Sequence, residues 1–406
     1  MNFKKHPNLC ILRLWGAVGV CGLFIFLLAP TLFAEQNVTL HLNLGVAYYH
    51  QQQYESAEQE LKKALTILPD SFEAHYNLHL VYLAQGKVAL AEHELKTCLA
   101  LNPDYPELHF QLGNVYFYQK KMAEAKEEYL QELEKNPHHL FSLYNLSKLY
   151  ESQTIWEEAE RYLNRIEKIN PDFPAIYDEL GKLHYLMANT EEALVTLNRA
   201  LDKGSNDIHS YIYLARIYQE KENYKEAKGV MQKAVAKFPD NFHVHIEAGY
   251  LHLKLKEYSL ATEYLQKALA LTPGDVATMY YLGYIYTQLE QIDDAIACYE
   301  FIISTREQGY EDTYFLLGNL YYGKNDLDKA AHLYLKELEM NPQNTDALFN
   351  LSHTYFQQGK LDEAEMSLRK LLEMKPDDTS AHLLLGDTYM QKNMYDKAIE
   401  AYEKAK

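Results

Sequence analysis

The feature that most constrains this chain is a repeat of about 34 residues that runs through residues 38–406. Alanine returns at this spacing, with one step of 35 residues, at Ala57, Ala91, Ala125, Ala159, Ala193, Ala227, Ala261, Ala295, Ala330, Ala364 and Ala398. Twelve residues before each alanine lies a position that we call the anchor, held by Gly45, His79, Gly113, Ser147, Gly181, Ala215, Gly249, Gly283, Gly318, Ser352 and Gly386. All anchors except His79 are small. These two columns predict eleven copies of one structural unit.

Each unit carries the pattern of two short helices. In the third unit, "ELHFQLGNVYFY" and "MAEAKEEYLQEL" both place apolar residues at helical spacing over about three turns. Proline follows the anchor by 24 residues in most units, where it is expected to end the second helix; Ser205 and Glu307 are the departures. Tyrosine follows nine of the eleven anchors by three residues. The chain is therefore predicted to be all-α.

This order of small residue, tyrosine, alanine and proline resembles the tetratricopeptide repeat (TPR) family. The resemblance implies an α-solenoid, a right-handed superhelix of helix–turn–helix pairs in which the first helix of each pair lines the concave face. One pair cannot bury its apolar face alone, so residues 38–406 are predicted to stack into one continuous solenoid. The predicted units span about 38–71, 72–105, 106–139, 140–173, 174–207, 208–241, 242–275, 276–310, 311–344, 345–378 and 379–406.

The anchor and the alanine are predicted to mark the crossing of the two helices in a unit. Glycine inside a helix costs about 1 kcal/mol relative to alanine, so Gly113 needs a compensating contact. Helices approach to about 8–10 Å according to the side chains at their contact. We expect Gly113 and Ala125 to lie at this crossing, with Tyr116 filling the space beside them.

Residues 1–34 differ from the repeats and have the features of an export signal. Lys4, Lys5 and Arg13 precede an uncharged apolar stretch, and Ala34 lies before a polar segment. This order is typical of a secretory signal peptide. The alternative is an uncleaved anchor, because residues 14–34 are about long enough to span a bilayer. Both interpretations predict an exported protein, either free in the periplasm or another extracytoplasmic space or tethered by one membrane span.

The charge of the chain argues against a nucleic-acid partner, and the spacing of its cysteines argues against an internal disulfide. With 57 acidic against 39 basic residues, the chain has a net charge of −18, so nucleic acid is not a predicted partner. Two of the four cysteines fall within residues 1–34. Cys98 and Cys298 are too far apart in a solenoid to meet, so no internal disulfide is predicted.

No catalytic motif is present in the sequence. It contains no phosphate-binding loop, no His-Glu-x-x-His, no Gly-x-Ser-x-Gly and no Cys-x-x-Cys. His243 and Glu247 are four residues apart and could share an ion with His209, but a zinc site usually has more ligands and packing is the alternative. The chain is predicted to be non-enzymatic, with neither cofactor nor metal.

Three sets of residues are predicted to line a groove on the first helices. A basic set, suited to a carboxylate, a phosphate or an acidic peptide, comprises Lys148, Lys182 and Arg216. An amide set comprises Asn43, Asn77, Asn145 and Asn350. An aromatic set, suited to apolar or extended peptide segments, comprises Tyr76, Phe110, Tyr144, Tyr280, Phe315 and Phe349. The amide set is similar to the asparagine ladder in the TPR part of O-linked N-acetylglucosamine transferases, which implies contacts with a peptide backbone, although other residues interrupt it here. For each set the alternative is ordinary packed or solvated helix surface.

Such a groove favours a non-catalytic scaffold or adaptor that binds protein or peptide segments, within a cell-envelope assembly. Two alternatives stay open. One is an accessory component of polysaccharide export or envelope biogenesis, which rests on fold and location alone. The other is the N-terminal part of a larger glycosyltransferase-like enzyme.

Overall fold

The computed structural model describes residues 25–305, 310 and 312–406, with side chains described from residue 35 onward. Regular structure in this part of the chain is entirely α-helical. Each odd-numbered helix packs on the even-numbered helix that follows it, which gives tandem hairpins. We number these hairpins 1 to 11 in chain order. The predicted α-solenoid class is confirmed.

Contacts between helices divide the chain into two compact units, with the boundary between Ile176 and Tyr177. The first unit contains α1 (Ile25–His50), α2 (Tyr54–Ile67), α3 (Phe72–Ala84), α4 (Val88–Leu101), α5 (Leu108–Tyr118), α6 (Met122–Lys135), α7 (Leu140–Ser152) and α8 (Trp156–Ile169). The second contains α9 (Ile176–Leu186), which begins at the boundary, α10 (Thr190–Asp202), α11 (Ile208–Glu220), α12 (Tyr224–Lys237), α13 (Phe242–Lys254), α14 (Tyr258–Leu271), α15 (Val276–Gln288), α16 (Ile292–Thr305), α17 (Thr313–Gly323), α18 (Leu327–Met340), α19 (Thr345–Gln357), α20 (Leu361–Met374), α21 (Thr379–Gln391) and α22 (Tyr395–Lys404). One continuous solenoid over residues 38–406 stays a prediction.

The predicted signal peptide or anchor falls mainly outside the described residues, which begin at residue 25. Among the helices that the structure describes, none has the combination of length and apolar character that crossing a membrane requires.

The close crossing of the two helices is present, and the alanine column lies in it. All eleven alanines are buried, with no more than 1% of any of them exposed. A Cβ atom added at Gly45 would lie 3.4 Å from the carbonyl oxygen of Ala57, and one added at Gly249 would lie equally close to that of Ala261. The backbones thus come into van der Waals range, and the closer contact that excludes a Cβ atom is with a side chain of the second helix, Leu61 Cγ at 2.6 Å from the carbon added at Gly45.

The prediction that Tyr116 fills the space beside Gly113 is wrong. Tyr129 of α6 fills it, since a Cβ atom added at Gly113 would lie 2.6 Å from Cε1 of that ring. Residue 129 follows Ala125 by one helical turn on the same face of α6, which brings it opposite the anchor. The ring of Tyr116 lies instead 5.6 Å from the ammonium of Lys96, on the second helix of the preceding hairpin.

The residue sixteen positions after the anchor makes the same contact in the other glycine-anchored hairpins. Leucine does so at Gly45, Gly181 and Gly249, and tyrosine at Gly113, Gly283, Gly318 and Gly386. Where the anchor is serine, alanine or histidine, this position holds leucine or methionine and never tyrosine. A ring therefore requires the absence of a side chain at the anchor.

In several hairpins the tyrosine three residues after the anchor contacts the hairpin before it. The hydroxyl of Tyr286 accepts a hydrogen bond of 3.1 Å from Gln266, and that of Tyr389 accepts one of 2.9 Å from Arg369. Both donors lie on the second helix of the preceding hairpin. A phenol combines a buried ring with a hydroxyl that reaches polar groups at the rim, which explains the recurrence of tyrosine at this position.

Hairpin 5 ends its second helix without the expected proline. Gly204 takes a left-handed conformation with φ 81°, and the N–H of Ser205 donates to the carbonyl oxygen of Ala200 over 2.9 Å. These are features of a Schellman stop, which uses glycine where the other hairpins use proline. The second departure, Glu307, lies outside the described residues.

Gly113→Ala tests the crossing directly. Overlap with Tyr129 is expected to lower the free energy of unfolding by about 1–2 kcal/mol, even after the gain in helix propensity. Gly229→Ala, inside α12, is the matched control, because no described atom outside its own helix turn lies within 4 Å of the added carbon. That change should raise the free energy of unfolding by about 0.5–1 kcal/mol. Urea denaturation followed by circular dichroism measures both, and equal effects would contradict the assignment of the crossing.

His79, the one large anchor, is buried in hairpin 2 without a hydrogen bond. Neither ring nitrogen has a partner among the described residues, and the ring packs edge-on against Tyr76 with centroids 4.7 Å apart. Burial lowers the pKa of His79 from its ordinary value of 6.5 to about 4. The imidazole is therefore neutral in the folded chain at neutral pH.

His79 is expected to make the fold sensitive to acid. Between pH 6.5 and 4 the unfolded chain binds a proton at this position that the folded chain does not, so stability is lost as the pH falls through this range. From pH 7.5 to 5 the loss attributable to His79 should be about 2 kcal/mol. Urea midpoints at both pH values should show this loss in the wild type and in the surface control His93→Leu, and a smaller loss in His79→Leu. An unchanged pH dependence in His79→Leu would refute the role of this side chain.

Candidate ligand-binding site

The first helices of several consecutive hairpins contact one another directly. We call their shared surface the A face; it comprises the positions six, three and two residues before the anchor and one and four residues after it. Contacts between neighbouring first helices define it. The rings of Tyr185 and Tyr213 stack with centroids 4.5 Å apart, and Tyr250 contacts Tyr281 at 5.6 Å. All three predicted sets of groove residues occupy A-face positions of their own hairpins.

Two asparagines form an amide bridge on the A face of hairpins 3 and 4. Nδ2 of Asn145, on α7, donates to Oδ1 of Asn114, on α5, over 2.8 Å. The same oxygen accepts a hydrogen bond of 2.9 Å from the hydroxyl of Tyr129. Burial raises the pKa of Tyr129, so its hydroxyl stays protonated and remains a donor. The phenol that fills the crossing beneath the anchor thus also fixes the amide bridge.

Aromatic rings continue the surface on one side of the amide bridge. The ring of Phe141 lies 6.2 Å from Phe110 and 6.1 Å from Phe173, and Tyr144 lies 5.8 Å from Phe173. Phe141 is 52% exposed, so its ring is accessible to a partner. We call Phe110, Phe141, Tyr144 and Phe173 the ring surface.

Lys148 lies at the edge of the ring surface. Its ammonium is 5.5 Å from the centroid of the Tyr144 ring and 3.0 Å from the carboxylate of Glu151. The predicted residues Tyr144, Asn145 and Lys148 therefore belong to one site on α7. The ammonium is oriented by a ring and a carboxylate together.

Hairpins 9 and 10, in the second unit, contain a second amide bridge. Nδ2 of Asn350 donates to Oδ1 of Asn319 over 2.8 Å, and the hydroxyl of Tyr334 donates to the same oxygen over 2.8 Å. The position that holds Lys148 in hairpin 4 holds His353 in hairpin 10. The bridge is thus built twice, with a different neighbour each time.

The remaining predicted amide and aromatic residues do not take part in these bridges. Asn77 donates over 2.7 Å to the carbonyl oxygen of Glu73 in its own helix, and Asn43 is exposed on α1. Tyr280 contacts a cluster of rings, with centroids 6.1 Å from Tyr281 and 5.3 Å from Tyr310.

The three predicted basic residues are distributed over both units. Lys148 lies in the first unit, and Lys182 and Arg216 lie in the second. Arg216 forms a two-pronged ion pair with Glu247, in which Nε lies 3.3 Å from Oε2, and this contact raises the pKa of Arg216. Arg216 thus already has one carboxylate partner, and its role toward a ligand stays a prediction.

The described residues contain no group of three or more histidine, cysteine, aspartate or glutamate side chains placed to hold a metal ion. Cys98 and Cys298 are free and buried. Burial raises the pKa of Cys98 to about 12 and that of Cys298 to about 11, so both are protonated at neutral pH and are poor nucleophiles.

The sequence contained a signal for the residues that prediction missed. Asn114 and Asn319 lie one residue after a glycine anchor, and each precedes its bridge partner by 31 residues. In both cases tyrosine follows the anchor by sixteen residues. Both bridges therefore follow from pairing the residue after one anchor with the residue two positions before the next, and not from the recurrence of asparagine at a single repeat position.

Models of one repeat family match most of the chain. A TPR repeat model matches residues 45–86, and tetratricopeptide repeat models match residues 82–138, 214–276, 276–307, 315–378 and 356–406. These matches agree with the hairpins and with their buried alanine column. The chain belongs to the tetratricopeptide repeat family.

Solved structures with the same type of repeat are similar to this chain over different lengths. A MamA protein is 22% identical over 40% of this chain and 89% of its own, with a TM-score of 0.39. A tetratricopeptide repeat protein from Parabacteroides merdae is 18% identical over 62% and 99%, with a TM-score of 0.45. Yeast Tom70 is 16% identical over 91% and 92%, with a TM-score of 0.39. None of the curated proteins matches. Family membership rests on the repeat models and not on these likenesses.

Proposed function

We propose that this protein is a non-catalytic scaffold that binds an extended polypeptide segment on the A face of hairpins 3 and 4. The observation that carries the proposal is the amide bridge between Asn114 and Asn145, which Tyr129 holds in place beside an exposed ring surface. A scaffold of this kind needs fixed polar groups for the backbone of a ligand and apolar surface for its side chains.

The amide bridge offers both kinds of hydrogen-bonding group to a peptide. Oδ1 of Asn114 accepts two hydrogen bonds within the protein, which fixes the amide plane, and its NH2 group is the donor that we assign to a ligand. The oxygen of Asn145 is an acceptor beside them. A neighbouring donor and acceptor match the C=O and N–H of a peptide backbone, and since the contact is to the backbone, it places few demands on the ligand's sequence.

The ring surface supplies affinity for side chains. Aromatic rings bury large apolar area at little cost in side-chain entropy, and Phe141 is already about half exposed. Lys148 pairs with Glu151 beside Tyr144, and its ammonium can take a carboxylate of the ligand as a further partner. We therefore expect a bound segment with at least one apolar side chain and an acidic residue.

A crosslinking experiment tests this site and identifies the segment. A photoreactive phenylalanine analogue replaces Phe141 in the full chain, with the same analogue at Val195 as the control, because that side chain is 69% exposed on a second helix. Crosslinked peptides unique to the analogue at position 141 are expected. The captured peptide is then synthesised and its affinity measured by fluorescence anisotropy.

Asn145→Ala is expected to weaken binding of that peptide about five- to tenfold, since each hydrogen bond contributes about 1 kcal/mol. Tyr129→Phe should weaken it about threefold or more, because Asn114 loses the bond that fixes it. Tyr334→Phe, the same change at the bridge in the second unit, is the matched control and should leave the affinity unchanged. Equal losses from the two tyrosine variants, or no loss from Asn145→Ala, would refute the site.

We further propose that the scaffold acts in the cell envelope, after export directed by residues 1–34. The basic start, apolar stretch and Ala34 support this location. Mass spectrometry of the mature protein from fractionated cells is the test. A chain that begins at Glu35 in the extracytoplasmic fraction is expected, and an intact chain in the membrane fraction would favour the anchor instead. An intact chain in the cytosol would contradict export.

A further inference from the structure

The A face of hairpins 9 to 11 combines aromatic rings with carboxylates. Its half-buried rings are Phe315, Tyr322, Phe349, His353 and Phe356, and its exposed acids are Asp312, Asp346 and Asp387. No A-face position of these three hairpins holds lysine or arginine, whereas hairpins 4 to 6 hold Lys148, Lys182 and Arg216. Hairpins 4 to 6 also hold Glu151, Asp178 and Glu179 at A-face positions, so their charges balance, whereas hairpins 9 to 11 hold acids alone.

The rings on α19 form a row. His353 lies between Phe349 and Phe356, with ring centroids 6.4 and 6.5 Å away and planes tilted by only 9° and 21°. The hydroxyl of Tyr322, on the preceding first helix, is 2.6 Å from Nδ1 of His353. This hydrogen bond holds the row in one orientation.

Carboxylates lie at both ends of this row. His353 of hairpin 10 lies next to Tyr322 of hairpin 9. Asp387 and Phe356 hold the corresponding positions in hairpins 11 and 10, so this register places Asp387 next to Phe356. The hydroxyl of Tyr402 donates to Asp387 over 2.7 Å and fixes its carboxylate, which stays exposed.

Asp346 lies at the opposite end of the row. It takes the position that Phe141 takes in hairpin 4, where the side chain lies beside Phe110. The counterpart of Phe110 in hairpin 9 is Phe315. The same register predicts that Asp346 lies beside the ring of Phe315.

We propose that this surface docks an arginine-bearing segment of a partner polypeptide. A guanidinium group stacks on aromatic faces and also donates two parallel hydrogen bonds to a carboxylate, so it satisfies rings and acids together. An acidic segment would be repelled by the same carboxylates. The proposal shares with the proposed function only the premise that the A face binds polypeptides, because it uses different residues in a different unit.

The test uses the full chain and two fluorescent peptides of twelve residues, one alternating arginine with serine and the other glutamate with serine. The arginine peptide is expected to bind and the glutamate peptide is not. The double variant Asp346→Asn/Asp387→Asn should weaken binding of the arginine peptide about five- to tenfold, and Phe356→Ala about threefold. The control Asp377→Asn/Asp396→Asn removes the same charge from exposed positions outside the A face and should change the affinity less than twofold.

Equal losses from the two double variants would show that only the net charge matters and would overturn the proposal. So would an unchanged affinity in Phe356→Ala, or binding of the glutamate peptide as tight as that of the arginine peptide. Circular dichroism and the urea midpoint of each variant show whether it is folded. Asn145→Ala should leave binding of the arginine peptide unchanged, which separates failure here from failure of the site on hairpins 3 and 4.

Discussion

The close crossing of two helices at a residue without a side chain is the contact on which the rest of this structure depends. At Gly113 the missing side chain admits the ring of Tyr129, and the hydroxyl of that ring then reaches the A face. The residue that packs the crossing thus also supports the proposed binding site. Where leucine fills the crossing, as at Gly181, the same space is occupied but the side chain has no hydroxyl to reach the surface.

The repeat made the fold predictable because one buried column fixes each hairpin. The alanine column identified the crossing, and the structure places every member of it in the core. Prediction failed at the next level of detail. Tyr116 and Tyr129 both fit an apolar helical pattern, and periodicity alone does not tell which of two rings points at the partner helix. The correlation of a glycine anchor with tyrosine sixteen residues later is the signal that decides it.

The candidate site was predictable only in part, for a similar reason. Asn145 was found because it recurs down a column, but its partner Asn114 lies on the neighbouring hairpin and at another position. The ion pair between Arg216 and Glu247 was missed in the same way. Contacts between hairpins join different columns, so they follow from the stacking geometry and not from the repeat itself.

The exchange between tyrosine and leucine sixteen residues after the anchor has a consequence for how such chains diverge. Replacing that tyrosine by leucine keeps the crossing filled but removes the hydrogen bond to the residue after the anchor. The reverse replacement restores that hydrogen bond. The proposed contact can thus be gained or lost in one hairpin without a change at its anchor. The residue after the anchor decides whether the phenol gains a polar contact: Tyr129 and Tyr334 donate to asparagine and Tyr402 to aspartate there, whereas hairpin 8 has Tyr284 at that place and the buried Tyr299 hydroxyl has no such bond among the described residues.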